Sequence, residues 1–158
     1  MVSWESVYYR KLNKATKKDH FTLPFVDQVL DGLAGKNYFS FLDGFSRCNQ
    51  IQISLEDQDK TNFTCPWGTF EYRDLSFSLC NAPPTFQREV LGIFSKLVRD
   101  AVEIYMGDFT PYGSDFQEDL SNLWKFLDKC IETNMSLSKK KCEFFMTKGT
   151  MLGHAISQ

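Results

Sequence analysis

The stretch EIYMGDFTPYG, Glu103–Gly113, constrains the fold more than any other. An apolar run, a Gly-Asp pair and a second, partly apolar run read as a β-hairpin. Its two-residue turn is predicted at Gly107-Asp108, because glycine accepts the positive φ that such turns require. The hairpin then presents one carboxylate, Asp108, at its tip. Pro111 in the second strand removes a ladder donor, which predicts an edge position or one near a turn.

The rest of the chain supplies partners for this hairpin. LPFVDQVLDGLAG has Pro24 at a first-turn position and apolar residues at helical spacing, a short amphipathic helix. NYFSFLDGFSRCNQIQISL switches to period two, with Phe39, Phe41 and Asp43 on one face and Ile51, Ile53 and Leu55 alternating with polar residues, so strands are predicted on both sides of Asp43. TNFTCPWGTFEYRDLSF reads as a hairpin around Pro66-Trp67-Gly68. Asn81 is positioned to cap a helix running to Asp100, with Phe86, Val90, Ile93, Leu97 and Val98 on one side. Ser114 and Gln117 resemble a capping box for a helix whose apolar stripe is Phe116, Leu120, Leu123, Leu127 and Ile131. TMLGHAIS adds a last strand. Helices alternating with short strands and hairpins, without internal repeats, predict one continuous α+β unit with helices on one face of a mainly antiparallel sheet.

Composition narrows the function. A chain that is 42% hydrophobic with fifteen phenylalanines is too rich in core residues to be disordered. With 18 basic against 20 acidic residues it does not hold nucleic acid by net charge, so any such binding falls to local clusters: Arg10, Lys11, Lys14, Lys17 and Lys18, or Lys139, Lys140 and Lys141. Either run is also an ordinary solvated face. Five scattered cysteines without CxxC spacing disfavour a disulfide framework and a zinc site. No apolar run reaches membrane-spanning length and the first 20 residues are not signal-like, which makes a reducing intracellular compartment the default and predicts no membrane partner.

Asp43, followed by Gly44, ends an apolar strand about 65 residues before Asp108. Two carboxylates set side by side on rigid strands make a hard-oxygen site suited to Mg²⁺, which binds through one or two carboxylates plus water and phosphate. Asp at a strand end also serves as turn chemistry, and the pattern alone leaves both readings open.

YYRKLNKATKKDHFTLPF, FSFLDGFSRCNQIQI, KTNFTCPWGTFEYRDLSFSLCNAPPTFQ, EIYMGDFTPYG, SLSKKKCEFF and MLGH, in this order and at this spacing, resemble the motifs of the reverse transcriptase of Ty3/gypsy-type LTR retrotransposons. The resemblance covers essentially the whole chain. It implies the palm and part of the fingers of a right-hand polymerase, with fingers at about 1–36 and 61–83, palm at about 37–60 and 84–158, and no thumb. It also implies an RNA or DNA template with primer and dNTPs as partners, and two Mg²⁺ ions about 3.5–4 Å apart, held by three carboxylates. By resemblance Asp43, with Gly44 beside it, and Asp108 are the first and last of the metal positions. The middle carboxylate is replaced by Gly107.

Further departures fall on the chemistry. In the pattern D-G-x-S-G-Y-x-Q that follows Asp43, Phe45 and Ser46 keep nucleotide-binding places, but Arg47 replaces glycine and Cys48 replaces the sugar-discriminating aromatic. Phe77 and Ser78 stand in the nucleotide-facing loop, with Ser78 in place of glycine, and Tyr8 replaces an Asp of the fingers motif. Arg10 matches a fingers residue that contacts template or nucleotide, or else is a surface ion-pair residue. Lys141 matches the lysine proposed to assist pyrophosphate departure, or else is one more charge in a solvated run. Asn81, Pro83, Gln87, Tyr105, Met106, Leu152, Gly153 and His154 take template or primer positions by resemblance, with Gln87 facing the template. Loss of the carboxylate that the resemblance places between the metals predicts a reverse transcriptase-like domain that is catalytically impaired or dead. The alternative is a non-enzymatic module that binds nucleic acid or protein through its palm sheet.

Overall fold

The computed structural model describes residues 7–157; residues 1–6 of the expected fingers segment lie outside the described residues. A four-stranded antiparallel sheet has the order β4-β5-β1-β6, built from Tyr38–Asp43 (β1), Val102–Tyr105 (β4), Asp108–Gly113 (β5) and Glu143–Met146 (β6). Two helices, Ala82–Ile93 (α4) and Phe116–Glu132 (α5), cover one face of it through a core of Leu42, Phe86, Val90, Phe94, Phe109 and Phe126. Stacking of Phe94 on Phe126 at 4.7 Å, with Phe109 against both, fixes the middle of this layer.

One end of the opposite face is closed by Val26–Leu33 (α2) and by a hairpin of Lys148–Met151 (β7) and His154–Ser157 (β8). Val29, Leu33, Phe39, Tyr112 and Met151 form this second cluster. Arg10–Ala15 (α1), Leu55–Gln58 (α3) and the small hairpin Phe63–Cys65 (β2) and Gly68–Phe70 (β3) complete the described elements. Among the described residues no helix is long and apolar enough to cross a membrane.

Several expectations are corrected. The metal-motif hairpin turns on Met106-Gly107, both at positive φ (+51° and +92°), and Asp108 is already the first residue of β5, paired with Tyr105. Pro111 lies on an interior strand; β1 and β5 keep one register throughout, but their pairing lapses between Phe39 and Leu42, opposite the proline that has no N–H to give. Ile51–Leu55 is not a strand. It makes two backbone hydrogen bonds with Arg73 and Leu75, and then Leu55, exposed, starts α3.

The helix after Asn81 stops at Ile93, and Asn81 does not cap it; its side-chain amide donates to Lys17 O and accepts from Asp19 N. α5 is capped by Asp115, whose Oδ1 accepts from Glu118 N at 2.8 Å while Glu118 reaches back to Ser114 N, one residue on from the predicted box. Its buried side is Asp119, Asn122, Leu123, Phe126 and Cys130, leaving Phe116 and Ile131 exposed. The polar members are accommodated because Asn122 donates to Tyr112 O and Asp119 accepts from the Ser40 hydroxyl.

Candidate active site

Residues alternate faces along a strand, so Asp43 shares a face with Phe41 and Phe39, and Asp108 with Thr110 and Tyr112. The two carboxylates are direct partners across β1 and β5, at the end of the sheet left open by α2 and the β7–β8 hairpin. Gly44 N donates to Gly107 O at 2.8 Å and Ser138 N to Asp43 O at 2.7 Å, which ties the strand end to the hairpin turn on one side and to the lysine run on the other. Sequence and structure thus agree on bringing Asp43 and Asp108 together.

A cation sits between them. Arg47 Nη2 is 2.7 Å from Asp43 Oδ1 and 2.7 Å from Asp108 Oδ1, and Nη1 donates to Met106 O at 2.6 Å. Lys141 Nζ lies 3.4 Å from Asp43 Oδ2. Burial alone would raise the Asp43 carboxyl, but the hydrogen bond and charge of Arg47, with Lys141, outweigh it and hold the group below its ordinary value. Asp108 moves the other way: burial, joined by the neighbouring Asp43 charge, outweighs Arg47 and raises it.

The residues present do not fit two divalent ions. Both Oδ1 atoms are committed to one guanidinium, Gly107 offers no carboxylate, and among the described residues no group of three His, Cys, Asp or Glu side chains is placed to hold a metal. A cleft of about 450 Å³ adjoins the centre, lined by Asp43, Phe45, Ser46, Arg47, Phe77 and Lys141 among others, with Phe45 and Phe77 exposed.

The remaining predicted residues divide. Cys48 is buried in the α4–α5 core, where burial pushes its thiol up. Ser78 keeps its hydroxyl on Ser76 and its carbonyl on Asn13 Nδ2. Arg10 is exposed at the first position of α1 and does not line the cleft. Gln87 does not face outward: fully buried, its Oε1 accepts from Met106 N at 2.7 Å and its Nε2 donates to Ile104 O, so it props the hairpin from beneath. Pro83 lies in the first turn of α4, Tyr105 and Met106 at the hairpin tip, Leu152 and Gly153 in the β7–β8 turn at positive φ, and His154 exposed beside it.

Two residues that carry the geometry escape a sequence reading. Gln50 donates to Phe45 O and Ser136 O and accepts from Ser136 N, stitching the loop after Asp43 to the segment before Lys139. Asn13 Oδ1 accepts from Cys80 N at 2.9 Å while its Nδ2 donates to Ser78 O, fastening α1 to the loop before α4. The signal for both was a polar residue inside a motif, with no pattern to say what it bonds.

The family model described as reverse transcriptase (RNA-dependent DNA polymerase) matches residues 1–156. The chain belongs to the reverse transcriptase family. The retrovirus-related Pol polyprotein from transposon 412 of Drosophila melanogaster is 38% identical over 92% of this chain and 12% of its own length. The transposon Tf2-3 polyprotein of Schizosaccharomyces pombe is 30% identical over 96% of this chain and 11% of its own. The chain thus spans about an eighth of these curated retrotransposon relatives. The foamy viral protease-reverse transcriptase solved in complex with RNA/DNA hybrid superposes on 96% of this chain, and 20% of that one, with a TM-score of 0.87 at 22% identity, which establishes the shared fold. In this reverse transcriptase domain the antiparallel sheet and its two covering helices therefore belong to the shared fold.

Proposed function

We propose that this domain is the palm and part of the fingers of an RNA-directed DNA polymerase of retrotransposon origin whose catalytic centre is impaired. Fingers are read at about 1–36 and 61–83, and palm at about 37–60 and 84–158. The observation that carries the reading is the register pairing of Asp43 with Asp108 beside a Met106-Gly107 turn: two carboxylates at polymerase positions, with glycine where the third belongs. Phe45, Ser46, Phe77 and Lys141 face the cleft where a nucleotide would enter, and Tyr105, Met106, Leu152, Gly153 and His154 lie on surfaces a template and primer would meet. Primer extension on an RNA template with Mg²⁺ or Mn²⁺ tests it: no dNTP incorporation above background is expected, and robust incorporation by the unmodified chain overturns the impairment.

A second reading, binding without catalysis, is supported by Phe45 and Phe77, exposed aromatic rings beside Arg47 and Lys141 and so suited to stacking on a single-stranded base. Salt-sensitive retention of a labelled single-stranded RNA is its expected signature, and no retention at low salt overturns it.

A further inference from the structure

Gly107 accounts for a missing ligand but not for what stands in its place. The stem of Arg47 fills the space above Gly107: a β-carbon there would lie 2.6 Å from Arg47 Cδ, 2.8 Å from Nε and 2.9 Å from Cγ. Arg47 itself sits at φ +22°, directly after Ser46 at φ +49°, a backbone region suited to glycine rather than to a long side chain. An arginine held in that conformation is held by its far end. Its guanidinium joins three oxygens from three places in the chain: the end of β1 (Asp43), the hairpin turn (Met106 O) and the start of β5 (Asp108).

The charges close as well. Two carboxylates are matched by Arg47 between them and Lys141 on the second oxygen of Asp43, so the cluster is neutral without a divalent ion. Bidentate and shared guanidinium contacts to carboxylates are the stronger class of hydrogen bond.

We propose that Arg47 is an internal cation installed at the metal position of the polymerase centre, and that Arg47 and Gly107 are a complementary pair. Glycine leaves the room that the arginine stem needs, and the arginine neutralises the two carboxylates that remain. This rests on reading Asp43 and Asp108 as the surviving carboxylates of a polymerase centre. It adds that the centre is held together by a side chain, so the domain folds independently of divalent ions, and that removing Arg47 recovers a weak metal site which only the change of both positions completes.

The test is Mn²⁺ binding, followed by electron paramagnetic resonance, together with thermal unfolding in chelator and in millimolar Mn²⁺, on the 158-residue chain. The unmodified chain is expected to bind no stoichiometric Mn²⁺ and to unfold at the same temperature in both conditions. Arg47→Gly is expected to lower the midpoint by about 5 °C in chelator, because two adjacent carboxylates lose their counter-ion, and to regain it with Mn²⁺. The double variant Arg47→Gly, Gly107→Asp is expected to fold and to bind Mn²⁺ at least tenfold more tightly than Arg47→Gly.

Stoichiometric Mn²⁺ on the unmodified chain overturns the proposal. So does a double variant that fails to fold, or that folds but binds no Mn²⁺. If Arg47→Gly is too unstable to measure, Arg47→Met keeps the stem and drops the charge. Its midpoint must then rise with Mn²⁺, and an unresponsive Arg47→Met overturns the proposal equally. An unmodified chain that extends primers fails the functional reading; one that does not, yet binds Mn²⁺ with Arg47 in place, fails this one.

Discussion

Arg47 and Gly107 occupy one another's space: any side chain at position 107 would begin 2.6 Å from the Arg47 Cδ. Gly107 is also at φ +92°, so a replacement is strained by its own backbone before it meets the arginine. Gly107→Asp alone is therefore expected to cost about 1–3 kcal/mol, read as a lowered denaturant midpoint, and to give no primer extension. Recovery of polymerase activity by that single change would show that Arg47, Cys48 and Ser78 do not obstruct the centre.

Gln87 offers a test of how the hairpin is held. Its buried amide takes the Met106 N–H and gives to Ile104 O, so the turn that carries Gly107 is braced from α4. Gln87→Leu preserves bulk and leaves the Met106 N–H without its partner, at a cost of about 1–3 kcal/mol. Hydrogen exchange should accelerate at Met106 more than at Val102, which is fully buried at the far end of β4 and keeps its N–H on Leu97 O. Uniform acceleration across β4 would instead mean that Gln87 acts on the core as a whole.

How much of this was legible in the sequence depended on whether the deciding interaction was local. The hairpin and the strand into Asp43 follow from short-range periodicity, whereas the meeting of Asp43 with Asp108, 65 positions apart, is expected only through the resemblance of the ordered motifs to those of a family. The turn was misplaced by one residue because Gly107 is the second of two positive-φ residues and Met106, at +51°, gives no compositional sign of it. β6 was hidden because Phe144 and Phe145 follow the lysine run, whose polarity breaks the pattern that a strand would show. The inward side of α5 was rotated because Asp119 and Asn122 take core places through single hydrogen bonds to Ser40 and Tyr112, which no hydrophobic stripe reveals. The Arg47 bridge was beyond reach for a related reason: it joins residues 59 and 61 positions away, and only the folded register sets them within 2.7 Å.

Asn13 makes the fingers motif testable without reference to catalysis. Because its amide bonds both Ser78 O and Cys80 N, Asn13→Ala removes two contacts that fix the loop before α4. The expected loss is about 1–2 kcal/mol, concentrated locally, so limited proteolysis should gain a cut between Ser76 and Asn81 while the sheet remains protected. An unchanged digestion pattern would show that the loop is held by other means.

Glu103 gives the clearest pH signature. It lies on β4 beneath α2, 5% exposed, with Oε1 lacking a hydrogen-bond partner, and a β-carbon on Gly32 would fall 2.3 Å from that oxygen. Burial lifts its carboxyl from 4.5 to about 7, only partly opposed by the Arg99 charge. The folded state therefore holds a proton that the unfolded chain releases near pH 4.5. The stability linked to this group is fully present below that pH and declines as pH rises toward 7, because the fold must then either retain the proton or bury a charge. Glu103→Gln keeps the shape without the ionisation. Relative to the unmodified chain it is expected to be within about 0.5 kcal/mol at pH 4.5 and more stable at pH 8, with a midpoint higher by about 3–6 °C. Thermal unfolding of both chains at the two pH values reads the difference directly, cancelling the groups they share. A gap of equal size at both pH values would assign the effect to packing against Gly32 rather than to the proton.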